Sequence, residues 1–209
     1  MVDVEVEPAI AAAMFGEQIE QARAFTADLG ARGEELGLIG PLEPPRIWTR
    51  HVLNSALVAP LIAEGARVGD VGSGGGLPGL VLAIARPDAH FTLIEPMERR
   101  TDWLSEQVDR LSLANVDVLR ARADEAGVEG ILDQVTARAV SALSKLIPMT
   151  APLLRPGGEL ILLKGERVAA ETEAASKVIR KHRLRNVETL VLGDGMIPEV
   201  TRVFRATVD

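Results

Sequence analysis

The stretch DVGSGGGLPG, from Asp70 to Gly79, has the composition of a ligand-binding loop. It holds five glycines in ten residues and follows a short apolar run. Because glycine lacks a Cβ atom, such a loop lets a nucleotide-like ligand approach bare backbone. Gly74, Gly76 and Gly79 match the G-x-G-x-x-G pattern of dinucleotide-binding sites. The loop therefore predicts a nucleotide-like ligand and leaves its identity open.

A second pattern in the same loop starts at Asp70. It has the form D-x-G-x-G-x-G, comprises Asp70, Gly72, Gly74 and Gly76, and resembles the first motif of S-adenosylmethionine-dependent methyltransferases. A carboxylate beside a pyrophosphate is unfavourable, because like charges repel strongly in a partly dry site. The same carboxylate suits a cationic ligand such as a sulfonium amino acid, by direct or water-mediated contact. Asp70 thus favours the methyl donor.

Two segments further along the chain bear on the same choice. FTLIE ends at Glu95, an acid at a strand tip that can accept hydrogen bonds from both ribose hydroxyls under either interpretation. Residues 153–165, LLRPGGELILLKG, resemble the segment that follows the fourth strand and helix of methyltransferase domains. A dehydrogenase would also need a substrate domain, and the residues after Lys164 are too few to form one. We therefore expect S-adenosylmethionine as the cofactor.

The elements that must position these residues follow from the hydrophobic pattern. Strands alternate with amphipathic helices along residues 66–209, which predicts an α/β fold with a mostly parallel sheet. The last two strands are joined by a short turn, which favours antiparallel pairing. Residues 8–39 are predicted as one helix, followed by a break and further helical turns up to Gly65. We expect a helical extension over residues 1–65 and a methyltransferase domain over residues 66–209.

Composition excludes several kinds of chemistry. The chain has no cysteine and no tyrosine, which rules out a thiolate attack on a pyrimidine ring and the Tyr/Lys relay of short-chain dehydrogenases. Its three histidines lack metal-ligand spacing, so we expect no metal site. It has no apolar run of membrane-spanning length, and its acidic start lacks the features of a secretory signal. We expect a cytoplasmic protein without a membrane partner.

The net charge of −7 is unevenly distributed. Residues 1–45 hold nine acidic and two basic side chains, so the rest of the chain balances at 21 of each sign. Residues 177–185, KVIRKHRLR, concentrate five Lys/Arg and one His. A basic run of this kind is ordinarily a solvated helix face, but it can also bind phosphates. Smaller basic clusters lie near residues 46–50, 99–100 and 120–122.

The order of the motifs makes the resemblance specific. DVGSGGGLPG, RPDAHFTLIEPMERRTDWL, RARADE, ARAVS and LLRPGGELILLKG occur in the order found in the bacterial 16S ribosomal RNA guanine-N7 methyltransferases, also called the glucose-inhibited division protein B family. Upstream, IWTRHVLNS resembles the family's histidine-bearing helix. The resemblance covers residues 36–165 clearly. It implies a Rossmann-like class I methyltransferase fold with a mostly parallel seven-stranded sheet and an antiparallel C-terminal strand.

The resemblance also assigns the cofactor side of the site. It implies backbone contacts at the glycines, a ribose contact at Glu95, and an adenine flanked by Ala123 and Asp124. Asp124 can alternatively cap a short helix. The implied cofactor-binding residues are Gly72, Gly74, Gly76, Leu77, Glu95, Ala123, Asp124 and Arg138.

On the substrate side, the resemblance implies methylation of guanine N7 in 16S ribosomal RNA. That nitrogen carries a lone pair and no proton, so the reaction needs no general base and we assign no catalytic residue. His51 is expected on the substrate side, although a histidine in this setting can equally be a core residue. Candidate phosphate ligands are Arg50, Arg99, Arg100, Arg122 and the run 177–185. The partner is expected to be 16S RNA or the small ribosomal subunit, bound by a monomer.

Two alternatives remain open from the sequence. One is a small-molecule methyltransferase with the same fold, since fold alone does not fix function. The other is a module that binds a nucleoside or RNA without turnover. Methylation of a nucleic-acid amino group is not expected, because no Asp/Asn-Pro-Pro-aromatic motif follows the fourth strand.

Overall fold

The computed structural model of the chain describes residues 4–209. Its α-helices are α1 (Ile10–Phe15), α2 (Ile19–Arg32), α3 (Asn54–Ala56), α4 (Gly79–Ala85), α5 (Glu98–Leu111), α6 (Leu143–Thr150), α7 (Val168–Ala174) and α8 (Ser176–Lys181). Its strands are β1 (Arg67–Val71), β2 (His90–Ile94), β3 (Val116–Leu119), β4 (Leu132–Arg138), β5 (Leu154–Lys164), β6 (Leu184–Leu192) and β7 (Thr201–Val208). A π-helix, Ile47–Leu53, precedes α3.

The seven strands form one sheet in the order β3-β2-β1-β4-β5-β7-β6. Strands β1 to β5 run parallel, and β7 pairs antiparallel with both β5 and β6. The predicted fold, including the antiparallel end, is confirmed. The strand order reverses between β1 and β4, and in open α/β sheets ligands bind at the carboxyl ends of the strands beside such a point. The fold therefore brings together the loops that follow β1, β2 and β4.

The helical predictions need correction at two places. The single helix expected over residues 8–39 is interrupted at Gly16, where a left-handed φ of 53° ends α1, and it finishes at Arg32. The basic run 177–185 is not one helix face. It covers α8, then a turn through Arg183 with a φ of 53°, and then the start of β6. Its charges therefore point in several directions instead of forming one stripe.

The N-terminal helices pack into the same core as the sheet. Phe25 and Leu29 of α2 are fully buried, and they belong to one cluster with Phe91 of β2 and Trp103 of α5. Fully burying such side chains contributes about 1.5–3 kcal/mol each. The buried Asp28 carboxylate accepts a 2.6 Å hydrogen bond from the Gln107 amide and thereby also ties α2 to α5. Helix α2 is thus held by apolar and polar contacts with the sheet layer.

No helix within residues 4–209 combines the length and apolar character that crossing a bilayer requires.

We predict that Leu29→Ala lowers the free energy of unfolding by about 2–5 kcal/mol, because the deletion leaves a cavity between α2 and the sheet layer. The matched control is Leu42→Ala, since Leu42 is 77% exposed, and it should change stability by less than about 0.5 kcal/mol. Urea unfolding measures both values. Equal stability of the two variants would mean that α2 does not belong to the core.

Candidate active site

Two adjoining cavities open at the carboxyl edge of the sheet, with volumes of about 310 and 410 Å³. The first cavity lies over the ends of β2 and β3. The second lies between the glycine-rich loop and the segment of residues 38–55 that precedes the sheet, here called the N-terminal segment. Gly72, Arg100, Arg138 and Ala139 line both and mark the junction. The other first-cavity residues are Val71, Ile94, Glu95, Pro96, Met97, Ala121, Arg122, Ala123, Asp124, Val140 and Met149. The other second-cavity residues are Leu38, Ile39, Gly40, Glu43, Arg50, His51, Ser73, Gly74, Gly75 and Leu77.

The three predicted cradle glycines have different surroundings. All have left-handed backbone, with φ of 72° at Gly72, 53° at Gly74 and 91° at Gly76. A Cβ on Gly74 would have only a carbonyl oxygen 3.7 Å away, so this position faces open space in the second cavity. A Cβ on Gly76 would lie 2.5 Å from Leu80, and Gly76 lines neither cavity. Gly76 thus allows the loop to pack on α4, whereas Gly72 and Gly74 face the site.

Glu95 fastens the end of β2 to the glycine-rich loop. Its carboxylate is buried and accepts 3.0 Å hydrogen bonds from the backbone N–H groups of Gly74 and Met97. The Arg100 guanidinium lies 3.7 Å from the same carboxylate. Since each carboxylate oxygen can accept more than one hydrogen bond, Glu95 keeps capacity toward the first cavity. The predicted ribose contact is therefore compatible with the bonds that Glu95 already makes.

Asp70 lies beneath the loop and not in it. It is fully buried, accepts a 2.9 Å bond from the Thr136 hydroxyl and a 3.2 Å bond from the Gly79 N–H, and lines neither cavity. Burial raises the pKa of Asp70 to about 6, although these hydrogen bonds oppose the rise. Of the two contacts expected with a cationic ligand, this buried position is compatible only with an indirect one, because the carboxylate holds the start of α4 against β4.

Arg138 links the end of β4 to the π-helix. The guanidinium donates 3.0 Å bonds to the Arg50 carbonyl and to His51 Nδ1, and a 3.2 Å bond to the Ser55 hydroxyl. Burial lowers the pKa of Arg138 to about 10, so the group stays charged at neutral pH. One partly buried cation thus joins the two cavities to the π-helix.

His51 is held on both sides of its ring. Its Nε2 lies 2.6 Å from a Glu43 carboxylate oxygen, while Nδ1 faces Arg138. Burial, together with the neighbouring charge of Arg138, lowers the pKa of His51 to about 4. The ring is therefore neutral at pH 7. Because arginine can only donate, Nδ1 is the acceptor and Nε2 carries the proton that Glu43 accepts.

Two acids neutralise the basic cluster at residues 46–50. Arg50 lies 3.3 Å from Glu43 and 2.7 Å from Glu199, and Arg46 lies 2.8 Å from Glu43. Both arginines of this cluster are therefore paired, and the expectation that Arg50 binds phosphate stays a prediction. Sequence reasoning missed both acids: Glu43 was counted only as part of an acidic segment, and Glu199 lies 149 residues from Arg50. Neither position carries a motif that could have revealed it.

The remaining predicted residues divide into two groups. Arg122, Ala123 and Asp124 line the first cavity, Leu77 lines the second, and Arg100 lines both. Arg99 and the run 177–185 lie outside both cavities. The 3-10 turn Ala123–Glu125 has no side-chain cap, so the alternative role of Asp124 as a helix cap is not observed.

The cavities suit S-adenosylmethionine. The first offers apolar walls from Ile94, Val140 and Met149 beside the Glu95 carboxylate, as a nucleoside requires. Within residues 4–209 the Arg100 Nε is buried and has no hydrogen-bond partner, and this residue lines the junction. The open space at Gly74 is a cradle that a side chain would fill.

Solved structures share the fold of this chain. A crystal structure of an S-adenosylmethionine-dependent methyltransferase from Aquifex aeolicus matches with a TM-score of 0.62 at 18% identity, covering 83% of this chain and 98% of that chain. TYW2 from M. jannaschii in complex with AdoMet matches with a TM-score of 0.58 at 19% identity, covering 75% and 74%. The fold is that of the Rossmann-like S-adenosylmethionine-dependent methyltransferases.

Sequence relatives identify the family. The family model GidB, described as rRNA small subunit methyltransferase G, matches residues 18–198. The ribosomal RNA small subunit methyltransferase G of Clavibacter michiganensis subsp. michiganensis (strain NCPPB 382) is 65% identical over 205 residues, which cover 98% of this chain and 97% of that protein. This chain belongs to the rRNA small subunit methyltransferase G family, and it is an S-adenosylmethionine-dependent enzyme.

The buried Asp70 generates a prediction about pH. Its pKa is raised from an ordinary value of 3.8 to about 6, so the folded chain holds an extra proton between about pH 4 and pH 6. The contribution of Asp70 to stability therefore falls as pH rises through that window. An amide in its place cannot titrate, so the stability of Asp70→Asn relative to the wild type should improve by about 1–3 kcal/mol between pH 4 and pH 7.5.

Urea unfolding of both proteins at several pH values measures this difference, and groups common to the two chains cancel. A difference that stays constant with pH would show that Asp70 titrates normally in the fold.

Proposed function

We propose that this chain transfers a methyl group from S-adenosylmethionine to N7 of a guanine in the 16S RNA of the small ribosomal subunit. The observation that carries the proposal is the junction of the two cavities at Gly72 and Arg138. A donor in the first cavity and an acceptor base in the second would meet there. Membership of the rRNA small subunit methyltransferase G family supports an RNA acceptor.

The cofactor would be held by residues from four loops. Glu95 would bind the ribose, Ala123 and Asp124 would flank the adenine, and Arg138 would face the amino-acid end. Gly72, Gly74 and Leu77 would supply close backbone and apolar contact to that same end. S-adenosylmethionine, when bound, supplies a methyl group activated by a positively charged sulfur.

The protein contributes orientation and not proton transfer. Guanine N7 has no proton to lose, and the nearest imidazole has both ring nitrogens occupied, by Glu43 and by Arg138. His51 is therefore unsuited to act as a base and instead forms a fixed wall of the second cavity. Holding the reactants in line supplies the rate enhancement, since positioning alone can be worth about 7–11 kcal/mol.

Phosphates of the RNA would bind basic side chains around the cavities. Arg99 and Arg122 are exposed, and Arg100 is half-buried at the junction. Arg50 is a weaker candidate because Glu43 and Glu199 already pair with it. The run 177–185 would contribute at a distance from the site. We expect the enzyme to act as a monomer in the cytoplasm, where its RNA substrate is assembled.

The proposal is tested by mapping methylated guanines. RNA of the small subunit from a strain lacking this gene should lack one 7-methylguanosine, and the purified protein with S-adenosylmethionine should restore it. Nucleoside mass spectrometry after digestion measures both results. Unchanged 7-methylguanosine in the deletion strain, together with efficient methylation of a small molecule, would replace the RNA assignment by the small-molecule alternative.

Gly74→Val should reduce the affinity for S-adenosylhomocysteine at least about 100-fold, because the side chain would occupy the open space of the cradle. Gly130→Val is the matched control. Gly130 has a similar left-handed φ of 69° and open space, but it lies outside both cavities. Calorimetric titration should find its affinity unchanged. Equal losses in the two variants would show that backbone strain, and not the cradle, explains the effect.

Apparent RNA affinity should fall steeply with salt, because phosphate contacts release counterions. Arg99→Gln combined with Arg122→Gln should flatten the slope of log affinity against log salt by about 1 per lost contact. Replacing Lys177, Lys181 and Arg185 with Gln should have the same kind of effect, but smaller.

Arg67→Gln is the control, since Arg67 starts β1 at the opposite edge of the sheet. Filter binding at several salt concentrations measures the slopes. An unchanged slope in the Arg99/Arg122 variant would exclude these residues as phosphate ligands.

A further inference from the structure

Glu43 is the acidic centre of the second cavity. It lies between α2 and the π-helix, and its carboxylate is mostly buried. One oxygen lies 2.6 Å from His51 Nε2 and 3.3 Å from Arg50, and the other accepts a 2.8 Å bond from Arg46. Every contact of this carboxylate in the described structure is therefore with a cationic or donor group of the neighbouring segment.

The His51 ring transmits the position of Glu43 to Arg138. The charged groups that face the ring are Glu43 from the preceding loop, Arg50 from its own helix and Arg138 from β4. Arg138 donates to Nδ1 at 3.0 Å, so the ring proton must be on Nε2, where Glu43 accepts it. The three side chains form a hydrogen-bond chain in which Arg138, at the cavity junction, donates to His51, and His51 donates to Glu43.

We propose that Glu43 is a positioning residue of this methyltransferase, which holds His51 as the Nε2–H tautomer and thereby fixes Arg138 where the two cavities meet. The inference rests on the proposed function in placing the acceptor in the second cavity. Without the carboxylate, only the contact with Arg138 favours the Nε2–H form, so the Nδ1–H form also becomes populated. A proton on Nδ1 would then oppose the N–H groups of Arg138, and the guanidinium would move.

Two variants separate hydrogen bonding from charge. In Glu43→Gln the side-chain oxygen can still accept from Nε2–H, whereas Glu43→Ala removes the acceptor. We expect kcat to fall about 10- to 100-fold in Glu43→Ala, the size of effect that misplacement by about 1 Å produces, and to recover within about 3-fold of the wild type in Glu43→Gln. The RNA KM should change less than about 3-fold in both variants, because Arg50, the candidate phosphate ligand beside Glu43, keeps its 2.7 Å pair with Glu199.

The tautomer is measured directly by long-range ¹H–¹⁵N correlation spectra. The chain has only three histidines, so the ring signals of His51 can be assigned by substitution. Wild type and Glu43→Gln should show one protonated Nε2 and one bare Nδ1, and Glu43→Ala should show a mixture of tautomers. These spectra also establish that each variant is folded.

Asp117→Asn is the matched control, since Asp117 pairs with His90 Nε2 at 2.8 Å on the exposed outer strands. It should change the His90 ring signals and leave kcat unaltered. If kcat fell as far as in Glu43→Ala, loss of any carboxylate–histidine pair would explain the effect and the proposal would fail.

Binding of S-adenosylhomocysteine tests the proposal in an experiment that needs no RNA. The affinity for S-adenosylhomocysteine should fall about 10-fold in Glu43→Ala and in Arg138→Ala. The double variant should lose no more than about another 3-fold, because both changes act through one guanidinium. If the two losses of affinity multiply in the double variant, or if Glu43→Ala keeps the Nε2–H tautomer alone, the proposal is overturned. Failure of the RNA assignment would instead appear as unchanged 7-methylguanosine in the deletion strain, with the tautomer and binding results as expected.

Discussion

The partly buried guanidinium of Arg138 is the constraint on which the site depends. A charge in a region shielded from water is costly unless its donors are satisfied. Here the partners are the Arg50 carbonyl, the Ser55 hydroxyl and His51 Nδ1, all on the segment that precedes the sheet. The N-terminal segment must therefore stay docked on β4 for Arg138 to remain in place, and docking it encloses the second cavity.

Asp70 at the end of β1 and Glu95 at the end of β2 hold the glycine-rich loop in place from its other side. Glu95 accepts from the Gly74 N–H and so fixes the loop against β2, while Asp70 accepts from Gly79 and Thr136 beneath it. The Trp103 indole adds a 3.2 Å bond to the Gly75 carbonyl from α5. A loop with left-handed residues at Gly72, Gly74 and Gly76 is thus held by fixed groups on several sides, as a preorganised ligand site requires.

The features that could be predicted from the sequence are those that depend on residues close together in the chain. Alternating apolar strands and helices were sufficient to predict the sheet, and the glycine spacing was sufficient to find the loop with left-handed backbone that lines the second cavity, because both depend on neighbours in sequence. Contacts between distant segments could not be predicted in this way. The pairing of Arg50 with Glu199 across the fold and the support of α4 by Asp70 leave no local signal in the sequence. The role of Gly76 against Leu80 also required the path of the helix.

The central claim is that the adenosine of the donor and the acceptor base occupy separate cavities, and that the amino-acid end of the donor crosses the junction beside Arg138 towards Gly74. A crystal structure of the chain with S-adenosylhomocysteine tests it most directly. The account predicts the adenosine in the first cavity, with its ribose hydroxyls within hydrogen-bond distance of Glu95 and its sulfur at the junction of Gly72 and Arg138. An adenosine found in the second cavity, between the glycine-rich loop and His51, would contradict it.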